Sequence, residues 1–133
     1  MGPLKGIKIL EFSGIGPGPY CGMLLADMGA DVIRVGRKGS EGVENKYDIH
    51  NRSKRSITAD LKNKDTINEI LKLIDQVDVV FEGYRPGVME KLGLGPDVCL
   101  ERDPKLVYGR MTGWGQEGPM SNLAGHDINY ISL

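Results

Sequence analysis

The run VDVVF, Val77 to Phe81, is apolar at every position but one. A segment of strand length with apolar residues on both of its faces needs a sheet covered on both sides, and such sheets are typically parallel. The rest of the sequence agrees. GIKILEF (Gly6 to Phe12), ADVIRV (Ala30 to Val35), SITADL (Ser56 to Leu61) and LVYGRMTG (Leu106 to Gly113) read as further strands. Between them lie helical stretches. Asp65 to Asp75 is the clearest, with Ile67, Ile70, Leu71 and Ile74 at i, i+3, i+4 and i+7. YCGMLLADMG reads as a helix stopped by Gly29, and Pro96 to Arg102 as a short one started by proline. VMEKLGLG gives one or two helical turns, and HDINYISL opens a last helix. Strand and helix alternate throughout, which predicts an α/β fold: a doubly wound, Rossmann-like, mainly parallel sheet with helices on both faces. Ligands of such sheets bind in the crevice beyond the carboxyl ends of the strands.

Composition narrows the function. The chain has 133 residues, one domain's length, with 26% charged residues and a formal net charge of −1. That balance argues against nucleic acid as a partner and against a polybasic membrane anchor. No apolar run approaches the roughly 18 residues that cross a bilayer, so no membrane span is expected. MGPLKGIKILEF lacks the apolar core of a secretory leader, position 6 is Gly6 rather than Ser or Thr for myristoylation, and Ile131-Ser132-Leu133 is not a peroxisomal ending. Cys21 and Cys99 are too few for a disulfide framework, and we expect reduced thiols in a cytoplasmic protein.

Four stretches could carry chemistry. In GIGPGP, Gly14 and Gly16 fit a dinucleotide fingerprint, but Pro19 stands where the third glycine belongs, and Gly36-Arg37 stands where an acid belongs. NAD is therefore disfavoured, and both a packing role and a ligand role remain for this loop. The second is basic: Arg34, Arg37 and Lys38, then Arg52, Lys54 and Arg55. Guanidinium forks match phosphate oxygens, and the expectation is a phosphate site. FEGYRPGVMEKLGLG reads as mostly structural, with Pro86-Gly87 as a turn. In AGHDINY, His126 and Asp127 fall at a helix start, where free backbone N–H groups point outward. His50 and the cysteines offer no metal-ligand spacing, so no metal is expected.

Taken together, LEFSGIGPGPYCGMLLADMGADVIRV, NRSKRSITADLK, YRPGVMEKLGLGP and above all LVYGRMTGWGQEGPMSNLAGHDINYISL resemble the family III CoA-transferases. The likeness is closest to their α-methylacyl-CoA racemase branch, to which GHDINY points. The resemblance implies that Arg37 binds CoA phosphates and that Ala59, Asp60, Leu61 and Lys62 contact the CoA moiety. It implies that Gly125, His126, Asp127, Ile128, Asn129 and Tyr130 line an acyl-CoA thioester, with His126 as one of two catalytic bases. Family members usually read acid-Arg-Pro after the second strand, where Gly36-Arg37-Lys38 stands here.

Such racemases are more than twice this length, and their second base, an aspartate, lies beyond the equivalent of Leu133. Residues 1–133 therefore read as the N-terminal part of the large CoA-binding α/β domain, with the downstream part absent. The implied reaction removes the α-proton of a 2-methylacyl-CoA and returns one to the other face through an enolate. Histidine suits proton transfer near neutrality, and the backbone N–H near Asp127 is the expected donor to the enolate oxygen. Asp127 cannot be the opposed base, because adjacent helical residues point about 100° apart. No separate cofactor is implied, since CoA is part of the substrate, and a homodimer is expected. The alternatives are a CoA-transferase of the same superfamily, with an aspartate nucleophile, and a CoA-binding module without catalysis.

Overall fold

The computed structural model describes residues 2–37 and 47–132. Five parallel strands form one sheet in the order β3-β2-β1-β4-β5. They are β1 Lys8–Phe12, β2 Asp31–Arg37, β3 Arg55–Ala59, β4 Val79–Glu82 and β5 Val107–Arg110. The helices are α1 Pro17–Asp27, α2 Lys64–Ile74, α3 Val88–Lys91, α4 Pro96–Arg102 and α5 Asp127–Ile131. The expected doubly wound architecture is the one observed.

Strand periodicity divides the core between the two faces. Leu10, Phe12, Val35 and Val80 point to one face and pack with Ile70 and Ile74 of α2, Met89 of α3 and Cys99 of α4. Ile9, Val32 and Phe81 point to the other, against Ala26 of α1 and Ala30. Helix α2 is capped by Asn63, whose Oδ1 accepts from the Asp65 N–H at 2.8 Å. Its far end is tied to α4, where the Arg102 fork donates to Asp75 Oδ1 at 2.8 Å and Oδ2 at 2.5 Å.

Boundaries shift by a few residues. Helix α1 begins at Pro17, three positions before the expected Tyr20, because Pro17 takes the N1 position where a missing N–H costs nothing. Strand β3 ends at Ala59, so Asp60 and Leu61 belong to the turn that follows it. The polar loop after β2 holds a 3-10 turn at Ile49–Asn51, with Asp48 accepting from the His50 N–H at 3.0 Å. Lys38 lies outside the described residues.

The α1 face holds one polar inclusion. Glu11, next to last in β1, is fully buried, and its Oε2 lies 2.6 Å from Lys54 Nζ, whose side chain is 1% exposed. Lys54 Nζ also donates to the Pro19 carbonyl at 2.9 Å, so the pair ties the segment before β3 to the first turn of α1. Burial pushes the Glu11 carboxyl up, and Lys54 pulls it partly back. Gly22 makes the room: a Cβ there would fall on Glu11 Oε2 and within 2.9 Å of Lys54 Nζ.

Two outcomes follow from these ion pairs. Removing the cation strands a buried carboxylate, so Lys54→Met should lower unfolding free energy in urea by about 3–5 kcal/mol. Changing Glu11 to Leu in the same chain should restore most of that loss. At the surface, Arg102 holds Asp75 below the usual carboxylate range. A carboxyl with a lowered folded pKa contributes stability above its unfolded value and loses it as pH falls through the folded one. Asp75→Asn should therefore lower Tm at pH 7, and the gap from the unsubstituted chain should narrow as pH falls below the ordinary carboxylate range.

Candidate functional site

The parallel sheet brings the carboxyl ends of all five strands to one edge. A cavity of about 430 Å³ opens there, lined by Val35, Gly36 and Arg37 of β2, by Ala59 to Lys62 at the end of β3, and by Tyr84, Val88 and Leu92. That volume lies in the range of roughly 300–1,000 Å³ usual for small-molecule sites. Arg37, Ala59, Asp60, Leu61 and Lys62 thus converge on one wall, although a long loop separates the two groups in sequence. The Lys62 N–H donates to Asp60 Oδ1 at 3.1 Å, which fixes the turn between them. Valine, leucine and tyrosine supply an apolar surface, and Arg37 and Lys62 supply positive charge. The combination suits a ligand with an anionic group beside a flat or apolar one.

Tyr84 faces this cavity half-buried, and its hydroxyl is pushed up by burial, then by Glu82, while Arg37 opposes the shift. Its N–H donates to Glu82 Oε2 at 2.7 Å. Glu82 is itself buried at the end of β4, and burial raises its carboxyl above the ordinary value. Arg110, at the end of β5, lies over the Tyr108 ring and pairs with Glu90 of α3. It also donates to Gln116 Oε1 at 2.8 Å, anchoring the loop that leads to α5.

The second group, Gly125 to Tyr130, stands apart from the cavity walls. His126 is the N-cap of α5 and is exposed, as are Asp127, Ile128, Asn129 and Tyr130. The His126 N–H donates to Asn129 Oδ1 at 2.9 Å, and the Asn129 N–H returns to the His126 carbonyl at 2.8 Å. The loop before α5 reaches back to the β4 loop through Arg85, whose Nη1 donates to the Asn122 carbonyl at 2.5 Å. Residue 84 of that same β4 loop lines the cavity. Asp127 follows His126 directly and does not stand opposite it.

The expected phosphate cluster does not hold together. The Arg52 fork donates to Asp27 at 3.1 and 2.5 Å, and the Arg55 fork to Asp31 at 2.9 and 2.5 Å. Lys54 is buried against Glu11. Arg34 lies within β2, in register with Glu11 and Ser56, not at a strand end. Among the described residues of that cluster, Arg37 lines the cavity, where Lys62 joins it from the turn after β3. Tyr84, Val88 and Leu92 were absent from the sequence expectation, because their stretch read as a turn and a helix end. The usable signal was their place directly after a buried strand, at the edge where ligands bind. Among the described residues no three His, Cys, Asp or Glu side chains gather as a metal site, and no helix is long and apolar enough to cross a membrane.

Comparison with known proteins adds a family. The family model described as CoA-transferase family III matches residues 4–133. Alpha-methylacyl-CoA racemase of Mus musculus is 48% identical over 130 residues, which is 98% of this chain and 33% of the racemase. That of Homo sapiens is 47% identical over 132 residues, again 98% of this chain and 33% of the relative. The chain thus spans about a third of the length of these curated relatives. A crystal structure of Rv3272 from M. tuberculosis superposes with a TM-score of 0.89 at 41% identity, covering 96% of this chain and 37% of that one.

Neither thiol is suited to nucleophilic work. Both cysteines are free. Cys99 is buried, its thiol donates to the Leu94 carbonyl at 3.4 Å, and burial pushes it up to about 11. Cys21 is pushed up as well, by burial first and then by Glu11. With its value near 11, the Cys99 thiol is about one part in a thousand thiolate at pH 8. An aromatic disulfide reagent at pH 8 should leave Cys99 unmodified in the folded chain, by peptide mass spectrometry, and label both cysteines in denaturant.

Proposed function

Because the chain belongs to CoA-transferase family III, we propose that it supplies the CoA-binding surface and one of the two bases of a 2-methylacyl-CoA racemase. The observation that carries this reading is the convergence of Arg37 with Ala59 to Lys62 on one cavity at the carboxyl edge of the sheet. Identities of 47–48% to racemases over 98% of this chain favour the isomerase branch. In this reading the cavity takes the nucleotide end of CoA, with Arg37 and Lys62 opposite its phosphates. The pantetheine arm runs past the β4 loop toward α5. His126 takes the α-proton of the thioester, the C–H electron pair becomes the C=C bond of the enolate as the carbonyl π pair moves onto oxygen, and the Asp127 N–H donates to that oxygen. With five residues α5 has a small dipole, so the donor acts as an individual N–H. The second base comes from outside these residues, and two copies of the chain assemble around the site.

A CoA-transferase is the second reading, favoured by the name of the family itself. It would move CoA between carboxylic acids through a carboxylate nucleophile. Free acid and acyl-CoA substrates separate the two. A racemase leaves CoA on its acid and scrambles the α-carbon, and a transferase does the reverse.

Two measurements test the proposal. CoA should bind the chain by calorimetry, and Arg37→Gln should weaken binding by about tenfold or more; no binding to the unsubstituted chain would sink the reading. A pure 2-methylacyl-CoA epimer in heavy water should gain deuterium without inversion, or remain unlabelled. Inverted, labelled product at an enzyme-like rate would show that these residues hold both bases.

A further inference from the structure

Helix α5 has five residues, and none of them is buried. So short a helix does not persist on its own hydrogen bonds. Something outside it must hold His126 in place, and the loop after β5 does so. Trp114, the one tryptophan of the chain, lies with its ring centroid 5.1 Å from that of Tyr130, at an interplanar angle of 56°. Its Nε1–H donates to the Ala124 carbonyl at 3.3 Å. Tyr130 lies within α5, four residues beyond the His126 N-cap. Helical side chains lean toward the N-terminus, and the Tyr130 hydroxyl accordingly seats between Gly113 and Gly125. A Cβ at Gly125 would overlap that hydroxyl and come within 3.0 Å of Trp114 Nε1. The indole and phenol therefore grip residues 124 and 125, directly before His126. Arg85 on Asn122 is a second, more distant anchor.

We propose that Trp114 is a positioning residue for His126, acting through Tyr130 and the Ala124–Gly125 backbone rather than by touching substrate. The proposal rests on the reading of His126 as the base. Trp114 stands in the loop, outside the GHDINY stretch, and its ring does two jobs that another aromatic would split. The ring meets Tyr130 in a tilted contact, and the N–H holds the carbonyl before the histidine loop. Losing the ring frees the N-cap of α5; losing only the N–H leaves the ring contact.

Amide hydrogen exchange and imidazole NMR on the 133-residue chain test this. In Trp114→Ala, exchange at the His126 and Asn129 amides should accelerate by about tenfold or more, with the strand amides unchanged. Trp114→Phe should stay within about threefold of the unsubstituted chain, since the tilted ring contact survives. Unchanged exchange at His126 and Asn129 in Trp114→Ala would overturn the proposal. Should that variant lose strand protection too, Gly125→Ala replaces it, with the same expectation at Asn129, because it unseats Tyr130 from the other side.

The second readout separates positioning from general packing. Adding 2-methylbutanoyl-CoA, but not CoA, should shift the His126 ring resonances. Trp114→Ala should abolish that shift while CoA binds with unaltered affinity, and Trp114→Phe should restore it. A shift that survives in Trp114→Ala would also overturn the proposal. If no form binds CoA, the reading under Proposed function fails, and the exchange rates still decide what Trp114 holds.

Discussion

Strand β1 sits between β2 and β4, hydrogen-bonded in parallel to both. That single pairing pattern forces the chain to return by a crossover after each strand, so every loop that leaves a carboxyl end lies on one edge of the sheet. The order reverses at β1, with one crossover series running toward β3 and the other toward β5. Close to that reversal β1 carries Glu11 rather than another apolar residue. A buried carboxylate is tolerated there because Lys54 reaches across the first turn of α1 to meet it. The ion pair adds little net stability against an apolar pair of the same volume. Its effect is geometric: it fixes the segment before β3 to the start of α1, and so fixes where Arg55–Ala59 joins the sheet.

The segments easiest to read from sequence were those whose pattern has one physical solution. VDVVF is apolar on both faces, which asks for a sheet covered on both sides, and β4 lies within such a sheet. Pro96 to Arg102 begins with proline and ends with arginine, and α4 has those bounds. The start of α1 was harder, because glycine–proline pairs suit a loop and a helix N-terminus equally. The site divided in the same way. Arg37 ends β2 and Ala59 ends β3, and the parallel direction of the two strands sends both ends to the ligand edge.

The charges of the basic cluster were legible and their partners were not. Arg52 meets Asp27 and Arg55 meets Asp31 only because β2, β3 and α1 are adjacent in space. No periodicity in the sequence reports that adjacency. Tyr84 was hidden for a related reason. In YRPG the turn chemistry of Pro86-Gly87 dominates what can be read, while the cavity-facing role belongs to the residue just ahead of it. Trp114 was hidden because its partner, Tyr130, lies across a loop whose shape is set by Arg110 on Gln116 and by Arg85 on Asn122.

The two candidate groups do not share a cavity, and under the proposed function they should not. Coenzyme A is long: its nucleotide and its thioester are separated by an extended arm, so a protein that reads both ends needs two separate surfaces on one side of the fold. The parallel sheet provides them at the ends of β2 and β3 on one side of the reversal and after β5 on the other. The β4 loop lies between, with Tyr84 in the cavity wall and Arg85 holding the loop that carries His126. Two neighbouring residues of one loop thereby link the cavity wall to the loop that carries the histidine. Under the proposed function, a change in that loop would alter the span between the cavity and the histidine without altering either end.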